Sequence, residues 1–244
     1  MTEDLDTAVV RGTRRAAAAP AGQGDGNARG QSTGRKRDPE RTRAEILKVS
    51  TGVFAAQGYS GARVDEIAAL TRTTKRMIYY YFGSKEQLYL EVLKDAYGGI
   101  RAAEREIQVG SLNPRDAVRR LAELTYDHHA QHSDFIRLVM IENIHRGVFI
   151  RQVESIRDLV QPAVGLLEEI LKRGRAEGVF RHDADAFDVH LVISSYCVFQ
   201  VANQYTFGYL FGRDLQEPPL SDHLRSMLGD VVVAWLETGA EIKN

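Results

Sequence analysis

From Asp38 onward the apolar positions recur every three to four residues, the spacing of one face of an α-helix, and no run alternates as a half-buried strand would. Pro39 suits a first helical position, and Ile46, Leu47, Val49, Val53 and Phe54 form a stripe that stops at Gly58. A short second helix is predicted over Arg63–Leu70, with Val64, Ile67, Ala68 and Leu70 inward. "TRTT" (Thr71–Thr74) breaks it, and Thr73 or Thr74 can cap a third helix, Lys75–Tyr81, that ends at Gly83. Ser84 with Gln87 has capping-box spacing and opens a fourth helix running to about Gln108.

The pattern continues to the C-terminus. Asn113-Pro114 opens a helix to about His132, and Ser133 is expected to cap another that ends near His145. A long helical stretch, Phe149 to Glu177, contains Pro162, which should kink or interrupt it. Asp183 or Asp185 begins a helix to about Tyr209, and the loop Gly212–Pro219 separates it from a last helix, Leu220 to about Thr238. The expectation is an all-α protein of about nine helices.

Residues 1–34 lie outside this pattern. "AAAAPAGQGDGNARG" has no aromatic or β-branched residue and cannot bury enough surface to offset its ordering entropy, so a disordered tail is expected, followed by a basic "RKR" at residues 35–37. Three units follow: the tail, a basic module at 35–83 and a helical module at 84–244. Over 244 residues the apolar fraction is 43%, enough for a sizeable core. The formal net charge of -1 conceals an asymmetry: residues 35–97 carry 12 Lys/Arg against 8 Asp/Glu, whereas residues 98–244 carry 16 against 21. Only the first part is therefore expected to meet a polyanion. Cys197 is the single cysteine, which excludes an internal disulfide and suits a reducing compartment. With no run long enough to span a bilayer and no apolar leader core, a cytoplasmic protein without a membrane partner is expected.

Chemistry concentrates first in "TTKRMIYYYFGSKEQLYL" (Thr73–Leu90). A helix, a turn of about four residues and a second helix make the helix-turn-helix layout, whose second helix enters the DNA major groove. On a helix beginning near Thr74, Ile78 and Phe82 share the inward face, which leaves Lys75, Arg76, Tyr79 and Tyr80 outside. Cations near a recognition helix's start can pair with guanine edges, and phenols can donate to phosphates and pack on sugars. Lys85, in the first turn of the next helix, can meet a phosphate together with that helix's free N–H groups.

Arg43–Leu93 resembles the DNA-binding domain of the TetR family, the tetracycline-repressor-like regulators, through its spaced Ile, Phe, Gly-Tyr, Ile-Ala, Tyr, Phe and "SKEQL" positions. The resemblance implies a homodimer with an N-terminal three-helix DNA-binding domain and a C-terminal helical domain for a small-molecule effector. It implies DNA contacts from Thr42 or Arg43, from Arg63, from Thr74, Lys75, Arg76, Tyr79 and Tyr80, and from Lys85. It also implies a repressor of a near-palindromic operator, dimerised through the last two helices with Trp235 and the Val231–Val233 run buried between copies. Where the family usually has Gly in the turn, this chain has Arg72, which would be strained if the position needs a positive φ.

In the C-terminal part, polar groups interrupt apolar helices. "YDHHAQH" (Tyr126–His132) and "IENIHRG" (Ile141–Gly147) hold most of the histidines, and Tyr196, Gln200 and Asn203 follow i, i+4, i+7 on one face. Tyr126, His129, Arg137, Asn143, His145, Tyr196, Gln200 and Asn203 are thus candidates to line a ligand pocket, set against the alternative that they satisfy one another. The region also resembles C-terminal domains of members that control breakdown of aromatic or heterocyclic acids, for which Arg137 or a histidine would hold the carboxylate. No cofactor is expected. Three rivals stand: a metal-responsive regulator using His128, His129, His132 or His145; a helical metalloenzyme, suggested by Glu142-x-x-His145; and a DNA-packaging protein, for which the basic module carries too little charge.

Overall fold

Residues 38–105, 109–180 and 184–238 are described by a computed structural model; the expected tail, the basic run at 35–37 and Asp183 lie outside them. The described residues form ten α-helices and no strand: α1 Pro39–Gly61, α2 Val64–Leu70, α3 Lys75–Phe82, α4 Lys85–Arg105, α5 Pro114–Gln131, α6 Ser133–Ile144, α7 Glu154–Ala176, α8 Ala186–Ala202, α9 Gln204–Phe211 and α10 Leu220–Thr238.

Local chemistry sets most boundaries. The Asp38 carboxylate accepts from the Glu40 N–H ahead of Pro39, and Ser84 Oγ accepts from the Gln87 N–H at 3.0 Å. Asn113 Oδ1 does the same for Asp116 at 2.9 Å. At Gly58 the backbone leaves the helix with φ 69°, and Gly83 (φ 78°) ends α3; both conformations are costly for any residue with a Cβ.

Four expectations need correction. The helix expected to run through to Tyr209 breaks at Asn203, whose N–H closes the last helical bond to the Phe199 carbonyl at 2.9 Å and whose side-chain amide donates to the same oxygen at 3.2 Å, a local bond that suits a helix end. That break accounts for the tenth helix. Pro162 does not interrupt α7: it and Asp158, the residue whose carbonyl loses a donor, are both exposed, so water can serve the orphaned oxygen. The chain breaks earlier instead, at a 3₁₀ turn over Ile150–Gln152. Ser133 is the first residue of α6 and not its cap; His132 precedes the helix without a capping hydrogen bond from its side chain. Leu70, expected inward, is exposed.

Two main cores result. The N-terminal core gathers Ile46, Phe54, Val64, Ile67, Ile78 and Phe82 from α1–α3, but also Leu88, Tyr89, Val92 and Leu93 from α4 and Leu138 from α6. α3 is too short to persist alone. Ile78 and Phe82 hold it, each worth roughly 1.5–3 kcal/mol on burial. The C-terminal core is built by α5, α7, α8 and α10 around Leu121, Leu167, Ile170, Val189, Ile193, Cys197 and Val232. Between them lies a small cluster of Ile100, Phe135, Ile136 and Val201. α4 thus starts just beyond the junction expected at 83/84, yet its first half packs into the N-terminal core and its second half among the C-terminal helices.

A buried polar tie fixes α4 against α6. Glu142 on α6 is buried, and its carboxylate accepts from the Tyr89 hydroxyl of α4 at 3.0 Å and from the Ile150 N–H at 2.9 Å. Burial, with Glu142 nearby, pushes the Tyr89 phenol far above its ordinary range, so it stays a donor. Tyr89→Phe should cost about 1–3 kcal/mol, because a buried carboxylate loses a partner. Urea unfolding followed by circular dichroism should show a lower midpoint with an unchanged slope.

Candidate nucleic-acid interface and buried polar cluster

The turn between α2 and α3 is hydrogen-bonded throughout. Thr71 is buried and its hydroxyl donates to the Ile67 carbonyl at 2.7 Å, while the Thr73 N–H reaches the Ala68 carbonyl at 3.0 Å. Arg72 has φ 50°, so the position that carries Arg in place of Gly is in the left-handed region. Thr74 Oγ1 then caps α3 by accepting from the Met77 N–H at 3.2 Å.

α3 has one locked face and one open face. Ile78 and Phe82 are buried; Lys75 and Arg76 are exposed, as are Tyr79 (38%) and Tyr80 (77%). No acidic residue lies on this helix. Tyr81 is half-buried against Phe82, with ring centroids 6.4 Å apart. Lys75 reaches Asp65 of α2 at 3.2 Å. Both side chains are exposed, so the pair is weak and can open toward a phosphate. Arg63 is exposed at the start of α2. Thr42 donates its hydroxyl to the Asp38 carbonyl at 3.0 Å. Arg43 is engaged within the protein, bonded to Glu91 of α4 at 2.7 Å and lying 5.0 Å over the Phe82 ring. Lys85 sits 4.8 Å over the Tyr59 ring at the capped start of α4.

The eight candidate ligand residues fall into separate places. Tyr126 is buried with its hydroxyl unpartnered, its ring 6.4 Å from that of Tyr196, whose hydroxyl donates to the Leu224 carbonyl at 3.2 Å. Burial pushes the Tyr126 phenol up to about 12. Gln200 accepts from Gln216 at 2.6 Å and leaves its own Nε2 unpartnered. Asn203 is the C-cap of α8, with its side-chain amide on the Phe199 carbonyl. Arg137 and His145 are exposed and border a cavity of about 480 Å³ between the end of α1, α6 and the α8–α9 junction; Arg137 donates to the Tyr205 hydroxyl at 3.3 Å. Asn143 is exposed and bonds to the Val139 carbonyl at 2.8 Å. The single face expected for Tyr196, Gln200 and Asn203 is divided among three sets of partners.

His129 belongs to a buried cluster that the sequence alone did not reveal. Arg101 and Glu104 of α4 are both buried and paired at 2.5 Å. Around them lie His128 and His129 of α5 and His190 of α8, whose Nε2 is 3.3 Å from Ser194 Oγ. Arg101 Nε, His128 Nδ1 and His129 Nδ1 are buried without hydrogen-bond partners. Desolvation, then the neighbouring His132 and Arg101, bring the His128 imidazole down to about 4. Desolvation and His128 bring His129 down to about 3, against an opposing pull from the Thr125 carbonyl, although no hydrogen bond reaches Nδ1. Both rings are therefore neutral near pH 7. The signal available in sequence was the register of α4: Leu93, Tyr97, Ile100 and Glu104 recur at helical spacing with Arg101 beside them.

Two rival readings are corrected here. Glu142 points into the core while His145 is exposed, so Glu-x-x-His is not a ligand pair. His128 and His132 stack ring on ring at 4.1 Å, and among the described residues no three His, Cys, Asp or Glu side chains are grouped to hold a metal. The depressed imidazoles carry a pH signature. Their stability contribution is complete above the unfolded value near 6.5 and is lost as pH falls toward about 4, because the unfolded chain binds the protons. Thermal melts should show Tm falling from pH 7 to 5, with a shallower fall in His128→Gln/His129→Gln.

Comparison with known proteins agrees with this architecture. Residues 46–92 match the family described as bacterial regulatory proteins, tetR family, and residues 114–232 match the tetracyclin repressor-like C-terminal domain. The HTH-type transcriptional repressor NicS of Pseudomonas putida is 33% identical over 202 residues, covering 83% of this chain and 95% of that protein. The HTH-type transcriptional repressor SCO4008 of Streptomyces coelicolor is 32% identical over 134 residues, 50% of this chain and 66% of that one. Among solved structures, a HlyIIR mutant superposes with a TM-score of 0.61 at 25% identity, over 84% of this chain and all (100%) of that one. A tetR-family regulator from Rhodococcus RHA1 shares the fold at a TM-score of 0.63 and 17% identity, over 80% and 97% of the two chains. No described helix is long and apolar enough to cross a membrane. With its helix-turn-helix, its outward-facing cations and phenols and a full-length repressor relative, the chain belongs to the TetR family of transcriptional regulators, DNA-binding proteins and not enzymes.

Proposed function

We propose that this chain is a repressor that reads a near-palindromic operator as a homodimer and is released by a small effector held in its C-terminal module. The observation that carries the DNA-reading part is the split of α3. Ile78 and Phe82 lock it to the core, while Lys75, Arg76, Tyr79 and Tyr80 face outward with no acid among them. Thr74, Arg63 and Lys85 extend this candidate surface at three helix starts, with Thr42 at the head of α1. Arg43 would have to leave Glu91 to join them. The sign of regulation rests on relatives named as repressors, NicS and SCO4008.

Support for a homodimer comes from apolar surface left uncovered on the last helices. Phe187, Leu191 and Phe199 lie along the outside of α8, and Val231 faces out from α10. Of the Val231–Val233 run, Val232 and Val233 are buried in the chain's own core, so α8 supplies most of the proposed contact. Two recognition helices must stand roughly 34–36 Å apart, or a multiple of that, to enter successive major grooves. An effector that binds better to another spacing shifts the population off DNA.

A mobility-shift titration on the DNA upstream of the chain's own gene, with non-specific competitor, tests the reading. Lys75→Ala/Tyr79→Ala should weaken a specific shift by about 10- to 100-fold or more, each base or phosphate contact being worth about 1–3 kcal/mol. An unchanged affinity in that variant removes α3 as the reader. Leu191→Glu/Phe199→Glu should sediment as a monomer and lose operator binding while keeping its helical spectrum. A variant that remains dimeric places the interface elsewhere.

A further inference from the structure

The buried polar cluster has more donors than partners. Arg101 Nε is an N–H that needs an acceptor, and the neutral rings of His128 and His129 each leave Nδ1 unused. Orphaned buried nitrogens cost on the order of 1–3 kcal/mol each, and a buried ion pair adds its own desolvation cost. A fold keeps such groups where something else completes them.

Space exists on two sides. A cavity of about 100 Å³ lies against Arg101, Glu104, Arg105, Pro162, Ala163 and Leu166, between α4 and α7. A cleft of about 880 Å³, opening beside α1, reaches His128 and His132 from the other side and is bordered by Gly99 and Phe135. Phe135 stands edge-on to the His129 ring at 5.5 Å, and a side chain at Gly99 would meet His128 Nε2 at 3.6 Å. The small cavity is on the scale of one ring, not of a steroid or an acyl chain.

We propose that the effector is a single-ring carboxylic acid whose carboxylate takes the place of Glu104 on the Arg101 guanidinium, with one proton taken up as it binds. This rests on the reading of the chain as an effector-released regulator. A second carboxylate cannot be added beside Glu104 in so buried a site without strong repulsion. Partner exchange avoids that: the ligand's carboxylate bonds to Arg101, Glu104 leaves it, and Glu104 accepts a proton from water, so the cluster's net charge does not change. Burial already raises the Glu104 carboxyl above its ordinary range, and only Arg101 opposes that. The other titratable or charged groups about Arg101 and the cavity are Tyr97 and the exposed Arg105 of α4, His128 and His129 of α5 and His190 of α8; from α7 the cavity is lined by Pro162, Ala163 and Leu166, which do not titrate. A neutral ligand could fill the same space but would leave the Arg101–Glu104 pair in place and favour neither arrangement of α4.

The test is calorimetric titration of the full-length protein with benzoate, the three pyridine monocarboxylates and furan-2-carboxylate, each against its carboxamide, in two buffers of different ionisation enthalpy. At least one acid should bind, with its amide about 10- to 100-fold weaker, as expected for a lost charge-assisted pair. Close to one proton should be taken up, so that affinity rises about tenfold per unit fall in pH while the ligand stays ionised. Glu104→Gln should bind that acid at least as tightly without proton uptake. Arg101→Gln/Glu104→Gln, which leaves no unpaired charge, should fold and lose binding. Failure of every acid to bind, amides binding equally well, or proton uptake persisting in Glu104→Gln would each overturn the proposal. A parallel mobility shift separates the two levels. Operator binding without acid binding overturns the site alone, whereas failure to bind selected operator DNA overturns the regulator reading beneath it.

Discussion

One helix has to satisfy two cores at once. The first half of α4 buries Leu88, Tyr89, Val92 and Leu93 among the helices that carry the DNA-reading surface, and its second half buries Ile100, Arg101 and Glu104 among those of the C-terminal module. Because close-packed interiors do not deform smoothly, a shift of α4 at one end must be answered at the other. The Tyr89–Glu142 bond and the Arg43–Glu91 pair bind this helix to α6 and α1, so its position is set by directed contacts as well as by packing. Communication between an internal ligand and the recognition surface then needs no additional device.

The polar interior divides into two kinds. Glu142 is a closed account, with both carboxylate oxygens served by the protein's own donors. The cluster around Arg101 is open, with three nitrogens unserved. A satisfied buried network makes a structure more rigid, and a partly satisfied one leaves it poised for another arrangement. The two share α4, Tyr89 in its first half and Arg101 and Glu104 in its second, and this juxtaposition gives that helix a fixed end and an adjustable end.

What could be read from the sequence follows the range of the interactions. The DNA-reading module was legible almost residue by residue, since Gly58, the "TRTT" turn, Thr74, Gly83 and Ser84 act on their immediate neighbours and the apolar spacing between them is regular. Even the misfit at Arg72 showed as a departure from glycine before its φ of 50° was seen. The interior of the C-terminal module was not legible. Arg101 and Glu104 stand in a charge-rich stretch and look solvated until α5, α7 and α8 close over them. Tyr196, Gln200 and Asn203 share a face only if the helix runs unbroken, and it ends at Asn203. Val232 and Val233 are indistinguishable from Val231 in sequence; which of them meets the chain's own core depends on how α10 lies against α5.

Cys197 sits in the middle of the C-terminal core with no exposed surface, and burial pushes its thiol well above its ordinary range. Being the only sulfhydryl in the sequence, it leaves the wild-type surface without a reactive thiol. A cysteine introduced at any exposed position would be the sole target for a maleimide dye or a spin label. In the proposed homodimer, the separation of the two recognition helices can therefore be followed by fluorescence or electron-spin distance measurements without first stripping the native residue.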